Sequence, residues 1–157
     1  MAGEPARMKI LIAVEGRGGG SAAAQQVSRL VRAGLDAELH LLNVQPAIES
    51  GHSRMFVSDE EVEAWYREEG LAALADSRRL LDDAGIEYQP HVAVGHVAET
   101  IRLFVEQHGF DLLVIGAGTS VLTTMIPGAV AGPLLKHLPV PVLVARRDAG
   151  EGPDRLI

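Results

Sequence analysis

Short apolar runs alternate with segments of helical periodicity along the chain. Five such runs occur, at 9–14, 38–44, 86–94, 111–115 and 140–145. Continuous runs of Val, Leu and Ile are typical of parallel strands that are buried on both faces of a sheet. Strands that alternate with helices form right-handed crossovers and place helices on both faces of the sheet. The alternation therefore predicts a three-layer α/β/α domain with a parallel sheet.

The first two helices have recognisable ends. Ser21 is the predicted N-cap of the first helix, which Gly34 closes. Ser58 and Glu61 form a capping-box pattern that opens the longest helix, predicted to end near residue 84. The positions at helical spacing on its predicted inner face are Val62, Tyr66, Ala73, Leu74 and Leu81.

Two further helices follow the third strand. A helix over 97–108 is predicted from Val97, Ile101, Phe104, Val105 and His108, at i, i+4, i+7, i+8 and i+11, with Gly109 as its end. A final helix is predicted to start near Val130, because Pro133 is tolerated only in a first turn.

Composition excludes several classes of function. The formal net charge is −7, whereas nucleic-acid binding rests on clustered Lys and Arg. The absence of cysteine excludes disulfides and thiolate metal sites and fits a reducing compartment. No run approaches the roughly 20 apolar residues needed to cross a bilayer. We therefore expect a cytoplasmic protein without nucleic-acid or membrane partners, with one domain over 8–147 and flexible termini at 1–7 and 148–157.

The first glycine run resembles a dinucleotide fingerprint only in part. Gly16-Arg-Gly18 follows a strand, but Ser21 stands where the third glycine should be. The second strand closes with Asn43-Val44 and offers no acid to hold a ribose, and no Gly-Lys-Ser/Thr is present to form a P-loop. The run is better interpreted as a flexible entry to a helix.

No catalytic or metal-binding constellation is evident. His91 and His96 fall on different elements, without the i, i+4 pairing of many metal sites. All six histidines, at 40, 52, 91, 96, 108 and 137, are interpreted as solvated or strand-capping residues. No Gly-x-Ser-x-Gly elbow occurs, and no single loop is flanked by two carboxylates. We therefore expect neither an enzyme nor a metal protein.

Glycines cluster where a parallel sheet of this kind binds ligands, beyond the carboxyl ends of its strands. Gly116-Ala-Gly-Thr119 follows a buried strand, and its glycines would let a ligand approach the backbone. Gly128-Ala-Val130 then leads into a helix whose first N–H groups could hold an anion. A loop that only packs against the domain explains the same residues equally well.

Several segments carry a family resemblance. They are Lys9-Ile-Leu-Ile-Ala-Val14, His40-Leu-Leu-Asn-Val44, Asp111-Leu-Leu-Val-Ile-Gly116 and the run from Gly128 to Val144, GAVAGPLLKHLPVPVLV. Together they resemble the universal stress protein family over nearly the whole chain. The resemblance implies a doubly wound, five-stranded parallel sheet of order 3-2-1-4-5, Rossmann-like and of the adenine nucleotide alpha hydrolase-like type. It also implies a homodimer.

Family members that bind ATP carry a glycine motif after the fourth strand: Gly, two residues, Gly, nine residues, then Gly with Ser or Thr. Gly116 matches the first glycine. Thr119 stands at the second, unless Gly118 substitutes for it. Gly128 matches the third, in a loop that is one residue short, and Ala129 replaces the hydroxyl residue.

The resemblance also implies roles for residues at the first two strands. Glu15 stands where the family commonly has an Asp facing the nucleotide, and Val44 matches a small apolar position near the adenine. The candidate nucleotide-binding residues are Glu15, Gly16, Val44, Ile115, Gly116, Gly118, Thr119, Gly128, Ala129 and Val130.

These departures weaken the predicted grip on phosphate. Ala129 removes a hydroxyl donor that would contribute roughly 1–3 kcal/mol to a charged acceptor. Thr119 adds a Cβ where the backbone should approach phosphate, and no Lys or Arg lies between Gly116 and Lys136 to offset a triphosphate.

Three hypotheses follow. The favoured one is a non-catalytic, homodimeric stress protein with a degenerate nucleotide site and weak or no ATP binding. The alternative is an ATP- or AMP-binding regulatory module that uses the crevice at the ends of strands 1, 2 and 4. A small-molecule enzyme of the nucleotide hydrolase-like type has least support, because no base or nucleophile is placed.

The last apolar run predicts the dimer contact. An exposed apolar edge strand invites pairing with another chain. We expect this strand to pair antiparallel with its mate about a two-fold axis, through Val140, Val142, Leu143 and Val144.

Overall fold

Five parallel strands form one sheet in the order β3-β2-β1-β4-β5. The computed structural model describes residues 7–16, 21–48, 58–116 and 137–146. The strands are β1 (Met8–Ala13), β2 (Ala37–Gln45), β3 (Gln89–Val94), β4 (Leu112–Gly116) and β5 (Val142–Ala145). The helices are α1 (Ser21–Arg32), α2 (Asp59–Asp83) and α3 (Val97–His108). The predicted strand order and doubly wound α/β class are confirmed.

The central strand is buried on both faces, which explains its unbroken apolar run. Ile10 and Ile12 pack on the side of α1 and α2, whereas Leu11 and Ala13 pack on the side of α3. β1 pairs with β2 on one side and with β4 on the other, so that Ile12 lies between Leu41 and its β4 partner. Two hydrophobic cores therefore flank a single sheet.

Helix α2 begins and ends as its sequence predicts. The Ser58 hydroxyl accepts a hydrogen bond from the Glu61 amide at 3.2 Å, and the Glu61 carboxylate accepts one from the Ser58 amide at 2.9 Å. This reciprocal pair is the predicted capping box. At the other end Gly85 adopts a left-handed φ of 68°, and the Ile86 amide donates to the Leu81 carbonyl. That pattern is a Schellman motif.

The predicted start of the third strand at Ile86 is wrong because of this motif. Residues 84–86 complete the end of α2, so the strand begins only at Gln89. The fifth strand likewise begins at Val142 instead of Val140. Pro141 has no N–H to donate, although its carbonyl accepts from the Leu113 amide.

The remaining helices differ from prediction only at their edges. Ser21 is the first residue of α1 instead of its cap, and Gly34 follows the helix with a φ of 113°. α3 ends at Gly109, as predicted, and buries Ile101 and Val105; the glycine adopts the left-handed conformation. The predicted start of the final helix near Val130 lies outside the described residues.

The long helix lies against β3 through a glycine. A Cβ built on Gly70 would stand 2.3 Å from a methyl carbon of Val92. Gly70 therefore contacts β3, although it was not among the residues predicted for the inner face of α2. Val62, which was predicted for that face, is only half-buried. None of the helices in the described ranges is both long and apolar enough to span a membrane.

Candidate functional site

The carboxyl ends of β1, β2 and β4 meet at one edge of the sheet. Glu15 and Gly16 follow β1 after Val14, Val44 is the last residue but one of β2, and Gly116 is the last residue of β4. The reversal of strand order lies here, since β1 is flanked by β2 on one side and β4 on the other. In open parallel sheets this is the position of ligand sites.

Two adjoining cavities open at this edge. The larger has a volume of about 370 Å³, and its lining residues are Glu15, Gly16, Asn43, Val44, Gln45, Pro46, Glu69, Ala73 and Val97. The smaller, of about 20 Å³, is lined by Ala13, Val14, Glu15, Leu42, Val44, Val97, Ile101 and Ile115. Glu15, Val44 and Val97 border both, so an apolar notch lies beside a polar chamber.

A buried amide fixes the shape of the polar chamber. Asn43 is 2% exposed, and its Nδ2 donates to the Val14 carbonyl at 2.8 Å. Its Oδ1 accepts from Gln45 Nε2 at 2.6 Å. The Val14 amide in turn donates to the Leu42 carbonyl. Asn43 therefore ties the segment after β1 to the end of β2, so both walls of the chamber keep a fixed separation.

The charges around the site are carboxylates. Among the described residues that line the two cavities, Glu15 and Glu69 alone carry a formal charge, and both are acidic. Carboxylates accept hydrogen bonds from hydroxyl or amino groups, and they repel phosphate. This part of the site suits a base or a sugar better than a polyphosphate.

Four of the predicted site residues lie together around the cavities. They are Glu15, Gly16, Val44 and Ile115, and Gly116 is the next residue along β4. The other five candidates, Gly118, Thr119, Gly128, Ala129 and Val130, lie outside the described residues.

The residues that α2 and α3 contribute to the site were not predicted from the sequence. Val97 and Ile101 were assigned to a core-facing helix, yet both also line the apolar notch. Glu69 stands between Tyr66 and Ala73 on the inner face of α2. An acidic residue on a predicted buried stripe was the signal that could have identified it.

The interpretation of the histidines is wrong for His40. This residue lies inside β2 and is 6% exposed, so it is neither solvated nor at a strand end. Its ring is hydrogen-bonded to His91 on β3 and to Glu38. His96 is exposed just before α3, and its side chain makes no capping bond. No group of three or more potential metal ligands occurs among the described residues.

A cavity larger than these two lies at the opposite end of the strands. It has a volume of about 830 Å³ and extends along the starts of β2 and β3 and the end of α2. Arg7 and Arg78 border it together with Glu38, Asp82 and Glu87. Mixed charge on an open groove selects no ligand class, so size alone does not make this cavity the functional site.

Comparison with known proteins gives a consistent result. The family model described as "Universal stress protein family" matches residues 6–146. Universal stress protein G of Shigella flexneri is 31% identical over 115 residues, which cover 71% of this chain and 79% of that protein.

Solved structures share the fold. The universal stress protein UspA from Lactobacillus plantarum superposes with a TM-score of 0.68 at 21% identity, covering 90% of this chain and 100% of the other. A family protein from Arabidopsis thaliana with AMP bound gives a TM-score of 0.64 at 22% identity, covering 94% and 96%.

Proposed function

Because the chain belongs to the universal stress protein family, we propose that it is a non-catalytic, homodimeric stress-response protein that binds ATP weakly or not at all. The observation that carries the proposal is the charge of the crevice. Both charged side chains that line its described part, Glu15 and Glu69, are carboxylates. A triphosphate held near them meets like charge, and the sequence offers no Lys or Arg between Gly116 and Lys136 to offset it.

The loss of phosphate contacts in the sequence supports the same proposal. Ala129 stands where ATP-binding members carry a hydroxyl, and Thr119 stands where they carry a glycine. A hydrogen bond to a charged phosphate contributes roughly 1.5–3 kcal/mol, or about ten- to a hundredfold in affinity. Losing one such contact is enough to move a micromolar site toward the millimolar range.

Calorimetry with Mg-ATP tests this proposal. We expect no heat of binding at micromolar ATP for the natural chain. The double variant Thr119→Gly/Ala129→Ser restores the glycine and the hydroxyl and should gain about tenfold or more in affinity. Ala64→Ser, on the exposed face of α2, is the matched control and should gain nothing. Micromolar binding of Mg-ATP by the natural chain would overturn the proposal.

The larger cavity of the crevice favours a second candidate, a regulatory module that takes AMP. Its volume of about 370 Å³ leaves room for a flat base against Val44, Ala73 and Val97, and Glu15 beside them can accept from a sugar hydroxyl. AMP carries less negative charge than ATP and so meets less repulsion. A family protein of the same fold has been solved with AMP bound. Binding of AMP without binding of ATP would favour this candidate, and no binding of either at millimolar concentration would exclude it.

The absence of catalysis is proposed on the same chemistry. Among the described residues that line the two cavities of the crevice, no side chains form a pair of nucleophile and base, since the polar side chains there are two carboxylates and two amides. We expect no turnover of ATP above the buffer rate. ATP turnover that disappears in Glu15→Gln would contradict this and would identify Glu15 as its base.

The edge strand β5 supports the proposed dimer. Among the described strands β5 pairs only with β4, and Val144 is 38% exposed. An apolar strand with a free edge is stabilised when a second copy pairs with it about a two-fold axis. Sedimentation should give a dimer at micromolar concentration, and a monomer at that concentration would rule out the pairing.

A further inference from the structure

A histidine cluster lies between the sheet and α3, away from the crevice. We use this name for His40, His91, Phe104, His108 and Phe110. The His40 ring meets Phe110 edge-on at 5.0 Å between centroids, and the His91 ring meets Phe104 at 5.1 Å. The His108 ring stacks on Phe104, with 4.1 Å between centroids. The cluster therefore joins β2, β3 and α3 through aromatic contacts.

Within the cluster a hydrogen-bonded chain runs from a carboxylate through two imidazoles. Glu38 Oε1 lies 2.8 Å from His40 Nε2, and His40 Nδ1 lies 2.8 Å from His91 Nε2. The two rings are nearly parallel, with 8° between their planes. Each contact is short enough to be a full hydrogen bond.

Only one proton can lie between the two imidazole nitrogens that face each other, His40 Nδ1 and His91 Nε2. The nitrogen that faces Glu38 carries a proton, since a carboxylate can only accept. His40 is then either neutral and accepts from His91, or charged and donates to a neutral His91. If both rings were charged, two N–H groups would point at each other across 2.8 Å. The hydrogen bond therefore survives only while the pair carries at most one positive charge.

The surroundings of the pair oppose a second charge. Lys9 Nζ lies 4.9 Å from the centre of the Phe110 ring and donates to the His108 carbonyl at 2.6 Å. Burial, and after it the positive charges of His40, His108 and Lys9, lower the pKa of His91 below its ordinary value. The one acid on the pair is Glu38, whose pKa is lowered by the hydrogen bond from His40.

Another acid lies nearby but is already engaged. The Asp111 carboxylate accepts from the Lys9 amide at 2.8 Å, so it binds backbone at the foot of β1 and β4. Besides Glu38 itself, the charged and titratable groups that act on the chain of Glu38, His40 and His91 are thus, among the described residues, Lys9, His108 and Arg7.

We propose that Glu38, His40 and His91 form an acid-sensitive switch, in which a second proton breaks the His40–His91 hydrogen bond and loosens α3 and β3 from the sheet. The unfolded chain binds both protons freely, whereas the folded chain accepts only one while the contact is intact. The contribution of the pair to stability is therefore complete above the unfolded pKa of about 6.5. This contribution is lost as the pH falls from about 6.5 through the lowered pKa of the folded state. The unfolding constant then rises by at most about tenfold per pH unit.

Urea unfolding between pH 8 and pH 5 tests the switch. His91→Gln keeps a neutral amide that can accept from or donate to His40, and it cannot be protonated. The natural chain should lose stability below about pH 6.5, and this loss should be reduced in His91→Gln. His96→Gln makes the same substitution at an exposed histidine and should keep the full loss. Parallel pH profiles for the natural chain and His91→Gln would overturn the switch.

Imidazole nitrogen NMR of the natural chain provides a second test that needs no variant. We expect the pair to take up one proton fewer than two free histidines until its ring contacts with Phe104 and Phe110 disappear. Protonation of both rings while those contacts persist would equally overturn the proposal. Neither measurement involves a nucleotide, so both are independent of the proposed function.

Discussion

At the scale of single residues, the buried side chain of Asn43 is the one that most directly shapes the crevice. It supplies the Val14 carbonyl with a donor after β1 has ended, and Val14 is itself only 4% exposed. A buried carbonyl without a donor costs about 1–3 kcal/mol. The sequence placed an amide at the end of the second strand, but only the structure shows what that amide contacts.

Replacing Asn43 tests this role. Asn43→Leu keeps the branching of the side chain and removes the donor, so the free energy of unfolding should fall by about 1–3 kcal/mol. Gln107→Leu is the matched control, because it replaces an amide side chain by leucine at an exposed position of α3. Urea unfolding at pH 8 measures both. Equal stability of Asn43→Leu and the natural chain would mean that the Val14 carbonyl has another donor.

At the scale of elements, the close approach of α2 to β3 depends on Gly70. Alanine is preferred to glycine inside a helix by about 1 kcal/mol. Against that gain, the new Cβ would stand 2.3 Å from Val92 Cγ1, a distance that real contacts do not reach. Forcing extra carbon into a packed contact costs about 1–3 kcal/mol. The clash is expected to outweigh the helix preference.

Gly70→Ala should therefore be destabilising, and Val92→Ala should relieve it. In the double variant Gly70→Ala/Val92→Ala the Cβ of residue 70 occupies space that the valine methyls have left. A double-mutant cycle measured by thermal or urea unfolding should give a favourable coupling of about 1 kcal/mol or more. Additive effects of the two substitutions would contradict the direct contact.

The capping box at the start of α2 should contribute to the stability of the fold. Ser58→Ala removes the hydroxyl that accepts from the Glu61 amide, and we expect a loss of about 1 kcal/mol in unfolding free energy. Ser58→Asp restores an acceptor and serves as the control, because Asp is as good an N-cap as Ser. An unchanged stability in Ser58→Ala would show that the box contributes nothing beyond α2's packing.

Signals that act within one element were predictable from the sequence. The capping box at Ser58 and the end of α3 at Gly109 each depend on neighbours a few residues away, and both were predicted. Contacts between elements could not be predicted in this way. His40 and His91 are 51 residues apart, and nothing in the spacing of either indicates that their rings meet. Glu69 reaches the crevice only because α2 packs against β2 and β3.

At the scale of the whole molecule, the proposed dimer would form through β5, which among the described strands pairs only with β4. Four neighbouring residues of this edge are apolar, and the chain's net charge of −7 otherwise keeps copies apart. In the proposed dimer, association would therefore rest on pairing of backbone and apolar side chains, not on charge.

A lysine at this edge should block the dimer. Val144→Lys places a charge on the pairing edge, a device by which natural proteins prevent strands from associating. Leu103→Lys is the matched control, since Leu103 is 39% exposed on α3 and Val144 is 38% exposed. Sedimentation should give a monomer for the first variant and a dimer for the second. A dimer in both would place the interface elsewhere.

Helix α3 borders both the crevice and the histidine cluster. Its first turns supply Val97 and Ile101 to the crevice, and its last turn supplies His108 to the histidine cluster. The two ends are about 16 Å apart, at 1.5 Å per residue. A ligand that favours the docked position of α3 must, by thermodynamic reciprocity, make the histidine pair harder to protonate. Protonation of the histidine pair would then lower the affinity for such a ligand, although the proton does not bind in the crevice.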